Sequence, residues 1–469
     1  MELYAFEGLR YAQDEEEAGP LAAPPYDQIN DAARDSFHAR SARHFVHLTR
    51  PAAPAAADAY RHAAALHERW LANGSVVRDP RPAVYPYVIA LAGGGRRLGV
   101  MALVGFDDPA VIRPHEETLA KPLADRTALL AAMRVDLEPA LLLAEDDGRL
   151  EELIAADVSG RPPLVDHLDA DGHHHLVYRV DDPARIRLYQ QAVAARPAAI
   201  ADGHHRYKVG QQYARDHAAA HGEAAAAKLS VVTSMTSPAL VIDPIHRALR
   251  LPADRDRLAG LAPGGRVPFH PVPPHSAPPA PPAAAAPAAP APAAPAAPED
   301  AATGPAPGAQ LAAAVAAAPQ PALGVWVRGG EPEIWRFDAP GSGAGSGPGA
   351  GAGAGVRAGS AAGAGHEAGR TAPPAPLAVE IFQRQVLPAL GLPPEAATDG
   401  TVVYRANPEE LYEQVAGGEL GTGFWLPPML PADFAAAIAR GDLLPPKSTR
   451  FLPKVMSGLV WADHRSRLL

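Results

Sequence analysis

Short apolar runs alternate with amphipathic stretches along the first half of the chain, as packed strands and helices do. Residues 84–89 and 98–106 are mostly apolar and flank three consecutive glycines, which predicts a hairpin whose second strand is buried. Residues 197–200 predict a short strand, and residues 206–219 predict a helix directly after it. Because strands and helices follow one another without a regular strand–helix–strand rhythm, we predict a mixed α+β fold rather than a doubly wound sheet.

Two low-complexity tracts interrupt this pattern. Residues 271–321 are mostly Pro and Ala, and residues 339–375 are mostly Gly, Ala and Ser. Such composition offers too little apolar surface to offset the entropy of ordering, so we predict two disordered insertions, although a short helix over residues 310–318 is compatible with the first. We therefore divide the chain into an amino-terminal domain (1–270), a linker and a carboxyl-terminal α/β segment (322–469). The sequence leaves open whether that last segment is a separate domain or completes the first.

Composition narrows the class of protein. The formal net charge is −10 and there is no long run of Lys and Arg, which argues against a nucleic-acid partner. The chain has no cysteine, which excludes disulfides, cysteine nucleophiles and cysteine zinc sites. It has no signal-peptide pattern and no apolar stretch of the ~18 residues that a spanning helix needs, so we expect a cytoplasmic protein without a membrane partner.

The chemistry-bearing residues concentrate in one predicted turn, Asp202-Gly203-His204-His205-Arg206, between the short strand and the following helix. Backbone amides at the start of a helix lack partners and attract anions. Glycine lets the backbone approach a ligand, arginine offers a planar fork for phosphate, and histidines add donors or proton carriers. Asp202 would hold a magnesium ion or orient one histidine, while helix capping explains it equally well on its own. Together these residues predict a phosphate-binding site.

A second cluster follows the buried strand, where His115 and Glu116 lie in a charge-rich loop ahead of Arg126. A carboxylate beside a histidine at a strand-to-helix transition suits a general base or a metal ligand. A solvated surface loop accounts for the same residues, and spacing alone leaves both interpretations open. Residues 173–175 are three histidines that we interpret as a solvated hairpin turn rather than zinc ligands, because vicinal histidines are awkward joint ligands.

Two proline-containing segments supply further charged candidates. Asp27 follows the rigid bend of residues 23–26, where a turn aspartate explains it and presentation to a ligand is the alternative. Lys447 and Lys454 lie in an extended segment near the carboxyl end, whose prolines place it along a sheet edge or over a surface. These lysines are either solvated tail charges or cations that fold back onto a phosphate.

Four motifs span nearly the whole chain. They resemble, in this order, those of the bacterial and archaeal family called domain of unknown function 1015: Ala23-Pro24-Pro25-Tyr26-Asp27; Pro114-His115-Glu116-Glu117-Thr118 with Asp125-Arg126; Ala201-Asp202-Gly203-His204-His205-Arg206-Tyr207; and Pro445-Pro446-Lys447-Ser448-Thr449 with Phe451, Pro453 and Lys454. The central turn is also similar, more distantly, to that of free serine kinases in the ParB/sulfiredoxin-like superfamily. The resemblance implies a mixed-sheet ParB/sulfiredoxin-like core with additional α/β elements, and a strand–turn–helix that holds nucleotide phosphates.

On this basis we predict a nucleotide-dependent phosphotransferase that acts on a small hydroxyl metabolite such as serine, with ATP or ADP and magnesium as cofactors. The nucleotide phosphates would be bound by seven residues: Gly203, His204, His205, Arg206, Arg126, Lys447 and Lys454. Asp202 would place the magnesium ion. Glu116, with His115 beside it, or failing these Asp27, would take the proton from the acceptor hydroxyl.

Two other classes of function fit the same residues. One is a non-catalytic nucleotide or phospho-metabolite sensor that regulates a partner protein. The other is a metal-dependent hydrolase built on His115, His204 and His205. Turnover that depends on Glu116 would distinguish the kinase from the sensor, and bound metal would identify the hydrolase.

Overall fold

The computed structural model describes residues 1–12, 21–53, 56–106, 110–116, 120–194, 196–262, 264–271, 304–337 and 376–469. Most of the Pro/Ala tract and all of the Gly/Ala tract predicted above lie outside these ranges. Glu117 and Thr118 of the second motif lie outside them as well. Among the described residues, no helix has both the length and the apolar composition needed to cross a membrane.

Strands and helices alternate irregularly along the described chain. The strands are β1 Leu3–Tyr4, β2 Leu9–Tyr11, β3 Val76–Arg78, β4 Tyr85–Ala90, β5 Arg96–Gly105, β6 Ile112–Arg113, β7 Val135–Asp136, β8 Ala140–Ala144, β9 Val165–Leu168, β10 His174–Val177, β11 Ala198–Asp202, β12 Ala227–Ser234, β13 Val241–Asp243, β14 His246–Leu249, β15 Arg266–Pro268, β16 Ala322–Val327, β17 Glu333–Arg336, β18 Val402–Arg405, β19 Thr422–Trp425, β20 Arg450–Leu452 and β21 Ala462–Asp463. The helices are α1 Asp31–Arg40, α2 Val46–Thr49, α3 Ala56–Ala72, α4 Ala120–Met133, α5 Arg149–Val158, α6 Pro183–Val193, α7 His204–His221, α8 Arg255–Ala259, α9 Pro307–Ala317, α10 Ala378–Ile381, α11 Leu387–Ala389, α12 Pro408–Ala416 and α13 Pro431–Arg440. The predicted mixed α+β class is confirmed.

The described chain divides into two compact units. The first comprises Met1–Asp243 and Met429–Leu469, and the second Pro244–Pro428. This grouping differs from the division at residues 270 and 322 expected above. The segment expected over 322–469 is divided between the two units: residues 429–469 lie in the first, where β20 pairs with β13 and β21 with β7, and its described residues before 429 lie in the second.

A mixed sheet organises the first unit. Its strand order is β6-β11-β8-β12-β5-β4-β10-β9, with β1 added beside β5. β6 runs parallel to β11 and β8 parallel to β12, and the other neighbouring pairs are antiparallel. The predicted hairpin is therefore confirmed as β4 and β5, and β11 followed by α7 confirms the predicted strand and helix. The turn between β11 and α7 lies one strand from the sheet edge.

The core explains why these apolar runs form strands. Val100, Ala102 and Val104 of β5 alternate toward one face, where they pack with Val88 and Val232. All five are nearly inaccessible to solvent, so burial of their apolar surface stabilises the sheet at roughly 25 cal/mol for each Å² removed from water. The sheet thus provides a rigid base for the turn that follows β11.

The second unit has its own sheet and core. Its strand order is β15-β17-β16-β19-β14-β18, and every neighbouring pair is antiparallel. Leu311 and Val315 of α9 pack against Trp425. The linker predicted over 271–321 is therefore wrong at its carboxyl end, because two apolar residues four apart give an alanine-rich helix a face to bury.

Candidate functional site

The turn after β11 depends on a glycine in the left-handed region. Gly203 has a φ of 88° and is the residue before the first turn of α7. A Cβ added there would meet the Arg206 guanidinium at 3.1 Å, closer than most side chains tolerate. Glycine is therefore required at position 203 for two reasons: the left-handed backbone conformation and the close approach of the Arg206 guanidinium. Because Gly203 takes the capping position, Asp202 does not cap the helix with its side chain.

Asp202 is the centre of a buried ion-pair cluster. Its Oδ2 accepts a hydrogen bond from Arg206 Nη2 at 2.6 Å, and its Oδ1 accepts one from Lys454 Nζ at 2.8 Å. Burial alone would raise the pKa of this carboxyl, but the charges of Lys454 and Arg206 outweigh burial and hold the pKa well below its usual range. Asp202 is therefore a carboxylate at neutral pH, with each oxygen facing a cation.

Arg206 is held inside the protein rather than extended into solvent. Its Nη1 donates to the carbonyl oxygen of Pro139 at 2.5 Å, while Nη2 binds Asp202. Burial by itself lowers the pKa of Arg206, yet the nearby carboxylates of Asp202 and Glu138 raise it above its ordinary value. A phosphate at the start of α7 would therefore meet a fixed cation that Asp202 has already neutralised in part.

Two buried imidazoles lie beside this cluster. The backbone N–H of His115 donates to Nε2 of His204 at 3.4 Å, and the two rings meet edge to face with centroids 4.5 Å apart. Nδ1 of His115 donates to the carbonyl oxygen of Ile200 at 2.6 Å, so its Nε2 accepts from the Thr449 hydroxyl at 2.7 Å. Burial lowers the pKa of His115 to about 4 and that of His204 well below its usual value. Both rings are neutral at physiological pH.

Glu116 carries the carboxylate that faces this pair. Its Oε1 lies 3.7 Å from Nδ1 of His204, the nitrogen that carries the proton because Nε2 accepts. Burial raises the pKa of Glu116 above its ordinary value, and the charge of Lys447 opposes that rise. Leu444 donates its N–H to the carbonyl oxygen of His115 at 2.8 Å, which keeps the carboxyl-terminal segment against this loop. A carboxylate with a raised pKa is suited to accept a proton near neutral pH.

Tyr26 and Asp27, the last two residues of the first motif, line a cavity together with Arg126. Asp27 is exposed in a short 3-10 turn, and this cavity has a volume of about 880 Å³. The Arg126 guanidinium lies 4.3 Å from the Tyr26 ring centroid and donates to the carbonyl oxygen of Thr49. The backbone N–H of Tyr26 donates to the buried Glu138 carboxylate at 2.9 Å. Asp27 and Arg126 are therefore near the ion-pair cluster but outside its hydrogen bonds.

The remaining predicted residues differ in accessibility. His204 is buried, and His205 is partly exposed at the start of α7. The side chain of Lys454 is 15% exposed. Lys447 has a backbone φ of 58°, which is unusual for a residue other than glycine. Of the three histidines over residues 173–175, the last is fully buried and binds Tyr87, so the prediction of a solvated turn is wrong for that residue.

The same geometry bears on metal binding. Both oxygens of Asp202 are ion-paired, and both ring nitrogens of His115 are hydrogen-bonded, so neither offers a ready ligand atom. Within the described part of the chain, Asp169, Asp171 and His173 are the group whose ligand atoms lie close together. His173 Nδ1 accepts from the Ala92 N–H, which leaves the proton on Nε2. The described residues do not fit a magnesium ion at Asp202 in this arrangement.

Sequence reasoning missed two buried charged residues next to the cluster. Glu138 lies where Arg206 and Arg126 both affect its pKa, which burial raises. Arg97 is a fully buried arginine near the start of β5. A charged residue within an apolar strand is unusual, and that contrast was the available signal for Arg97.

The comparison with protein-family models matches residues 3–263, more than half of the chain, to the family described as "Protein of unknown function (DUF1015)". The chain belongs to this family. The match covers three of the four motifs, and the lysines of this DUF1015 protein that approach the turn lie beyond it. The comparison with curated proteins gives no match.

Solved structures similar to this DUF1015 protein are distant. A conserved hypothetical protein from Pyrococcus furiosus is 12% identical with a TM-score of 0.32, over 79% of this chain and 94% of the other. A free serine kinase in complex with AMP is 13% identical with a TM-score of 0.33, over 75% of this chain and 87% of the other. The same figures hold for a mutant free serine kinase in complex with ADP. Likeness of this order leaves the activity to be argued from the residues of this chain.

Proposed function

We propose that this DUF1015 protein transfers a phosphoryl group from ATP or ADP to a small hydroxyl compound, with serine as the first candidate. The observation that carries the proposal is the position of Glu116, a carboxylate of raised pKa 3.7 Å from His204, beside the cations that Asp202 gathers at the start of α7. A base next to a phosphate-binding site is the combination that phosphoryl transfer needs. The similarity of the turn to that of free serine kinases makes serine the acceptor to test first.

In this proposal the nucleotide phosphates bind the backbone amides of residues 203–206. Their oxygens take over part of the charge of Arg206 and Lys454 from Asp202, and Lys447 adds a further cation. Because the cations are already in place, little reorganisation is needed when negative charge shifts toward the leaving oxygen. Magnesium would enter with the nucleotide and neutralise phosphate charge, and we assign no residue of this chain to it.

Glu116 takes the proton from the acceptor hydroxyl. The hydroxyl oxygen forms a bond to the terminal phosphorus while the bond from that phosphorus to the bridging oxygen breaks, and the electron pair leaves on the nucleotide. The Nδ1 proton of His204 faces the Glu116 carboxylate and orients it. His115 holds His204 through its backbone N–H, so its role is positioning.

The test is product formation by the full-length protein. ATP and ADP would each be incubated with serine, threonine, homoserine and glycerol, and phosphorylated product measured by phosphorus NMR. We expect Glu116→Gln to abolish turnover while nucleotide affinity, measured by calorimetry, stays within about threefold of the unaltered protein. Absence of product with every acceptor, together with absence of nucleotide binding, would reject the proposal.

A nucleotide or phospho-metabolite sensor is the second candidate. The observation that favours it is that Asp202 pairs with both Arg206 and Lys454, which suits reversible exchange of one anion for another. In that case nucleotide binds, no acceptor is phosphorylated, and Glu116→Gln changes neither result. The hydrolase alternative has less support, because both ring nitrogens of His115 already have partners.

A further inference from the structure

Arg97 is a buried cation without a counter-ion among the described residues. It is 2% exposed, and its Nη1 donates to the carbonyl oxygen of Leu452 at 3.2 Å. Its Nη2 is also buried and has no hydrogen-bond partner among the residues that the structure describes. Burial lowers the pKa of Arg97 to about 10, against the opposing effects of Tyr87 and Asp202, so the guanidinium stays charged at neutral pH. A buried, unpaired charge is costly and calls for an explanation.

The neighbouring carboxylate does not supply that counter-ion. Asp202 affects the pKa of Arg97, but its two oxygens already bind Arg206 and Lys454. Asp202 therefore has no oxygen left for Arg97, and Lys454 also lies close enough to Glu116 to affect the pKa of that carboxyl. Glu138 raises the pKa of Arg206, whereas the charges that act on the pKa of Arg97 are those of Tyr87 and Asp202.

A second buried polar group on the same face of the sheet also lacks a partner. Thr233 of β12 has a buried hydroxyl without a hydrogen bond among the described residues. A Cβ built on Gly99 would lie 2.7 Å from that hydroxyl, so Thr233 covers the gap that this glycine leaves. Gly99 is two residues from Arg97 on β5, and residues two apart on a strand share a face. Two unsatisfied donors thus lie on one face.

A cavity of about 540 Å³ borders this region. Leu452, whose carbonyl oxygen binds Arg97, lines it together with Lys454. Arg40 of α1 and Arg450 of β20 add two more cations to the lining. The carboxylates that line it are Asp169 and Asp171 of the turn between β9 and β10, and both oxygens of Asp169 are already hydrogen-bonded. The lining therefore has three cations and two carboxylates, and two of the cations, Arg450 and Lys454, hold ion pairs with Asp243 and Asp202 that an anion would have to share.

We propose that this cavity, with Arg97 behind Leu452, is a binding site for a phosphate-type oxyanion. The oxyanion would contact Lys454 and the arginines of the lining, and its charge would compensate the unpaired guanidinium of Arg97. Lys454 belongs both to this site and to the ion pair with Asp202, so an anion here competes with Asp202 for that ammonium. The inference does not depend on phosphoryl transfer, because an anion binds here whether or not a hydroxyl compound is phosphorylated.

The first experiment measures binding of inorganic phosphate to the full-length protein by calorimetry at pH 7.5 and low salt. Arg97→Met keeps a side chain of similar length and removes the charge, and we expect it to weaken phosphate binding about tenfold. Arg81→Gln, which removes an exposed arginine that pairs with Asp181, is the matched control for loss of one positive charge. Unaltered phosphate affinity in Arg97→Met, or no phosphate binding by the parent protein in the low-millimolar range, overturns the proposal.

Thermal unfolding distinguishes an anion site from a structural role. Without phosphate, Arg97→Met should melt at a higher temperature than the parent, because an uncompensated buried charge has been replaced by an apolar group. Added phosphate should raise the melting temperature of the parent and leave that of the variant unchanged. A merely structural arginine would give a lower melting temperature with the phosphate effect retained, and that pattern contradicts the proposal.

Two further arms complete the design. If Arg97→Met does not fold, the double variant Arg40→Gln/Arg450→Gln changes two residues of the lining and decides by the same phosphate titration. ADP and acetate are titrated in parallel. Loss of ADP binding along with phosphate identifies the nucleotide as the source of the oxyanion, whereas retention identifies free phosphate, and both support the site. Acetate that binds as tightly as phosphate contradicts the assignment of a phosphate-type ligand.

Discussion

The ammonium of Lys454 lies 2.8 Å from Oδ1 of Asp202, although the two residues are 252 positions apart. This ion pair joins the carboxyl-terminal segment to the turn after β11. It also gives Asp202 a partner on the side opposite Arg206, so the carboxylate holds two cations at the start of α7. A change at Lys454 is therefore expected to affect both the stability of the fold and the positive charge that a ligand can bind.

Replacing Lys454 tests that connection. We expect Lys454→Met to weaken nucleotide binding about tenfold, because a charge-assisted contact to phosphate is lost. The folded-state pKa of Asp202 is depressed, so its ion pairs contribute stability above the unfolded-state value of roughly 3.9, and this contribution is lost as the pH falls toward the folded-state pKa. Lys454→Met raises the folded-state pKa, so acid unfolding should begin at a higher pH. Calorimetry and melting temperatures from pH 3 to 7 measure both effects.

The control for this variant is Arg187→Met, which removes an exposed cation from α6. It should leave nucleotide affinity and acid unfolding close to those of the parent. Equal acid sensitivity in the two variants would contradict the assignment of the stabilising charge to Lys454.

A substitution at Gly203 can be used to separate the cost of the backbone conformation from the effect on the neighbouring Arg206. Gly203→Ala should cost about 1–2 kcal/mol for the left-handed conformation, with an added cost from crowding the Arg206 guanidinium. Gly148 precedes α5 with the same φ of 88°, and a Cβ added there would meet no described atom within 4 Å, so Gly148→Ala carries the cost of the conformation alone. Urea unfolding of both variants gives the difference. We expect nucleotide affinity to fall only in Gly203→Ala, and a fall of equal size in both would contradict a local effect at Arg206.

The strand, the turn and the helix of this site follow from local sequence. A short apolar run, a glycine and a long polar-faced stretch predict β11, Gly203 and α7, because each depends on residues that are neighbours in the chain. The hairpin of β4 and β5 follows for the same reason. The residue types alone also predict that the turn is the centre of a charged cluster.

The sequence does not predict which of those charges pair with one another. Arg206 and Lys454 both bind Asp202, and the second contact depends on where a segment 252 residues away packs, which no local pattern encodes. The burial of His115 and His204 could not be predicted either, because both are polar residues in a charge-rich stretch of sequence. The structure buries both. The return of residues 429–469 to the first unit is a further long-range effect.

The stability contribution of Glu116 should depend on pH in the opposite direction to that of Asp202. Its folded-state pKa is raised, so its contribution to stability is present below the unfolded-state pKa and is lost as the pH rises through the folded-state value. Glu116→Gln removes the charged form, and we expect the variant to be more stable than the parent at pH 8 and about equal at pH 4. Urea unfolding at the two pH values checks this. A variant less stable than the parent at pH 8 would show that the carboxylate is compensated by its neighbours.

His115 provides the test at mildly acidic pH. Its folded-state pKa is about 4 because of burial, whereas the unfolded chain takes up a proton near 6.5, so stability must fall as the pH falls between these values. The full effect of one such group is on the order of 3 kcal/mol. His115→Asn keeps a donor for the Ile200 carbonyl oxygen and cannot titrate, so its unfolding free energy should depend less steeply on pH than that of the parent. His174→Asn, at an exposed position, is the control and should retain the parent slope. If His115→Asn and the parent have the same slope from pH 6.5 to 4, the buried imidazole is not the group that resists protonation.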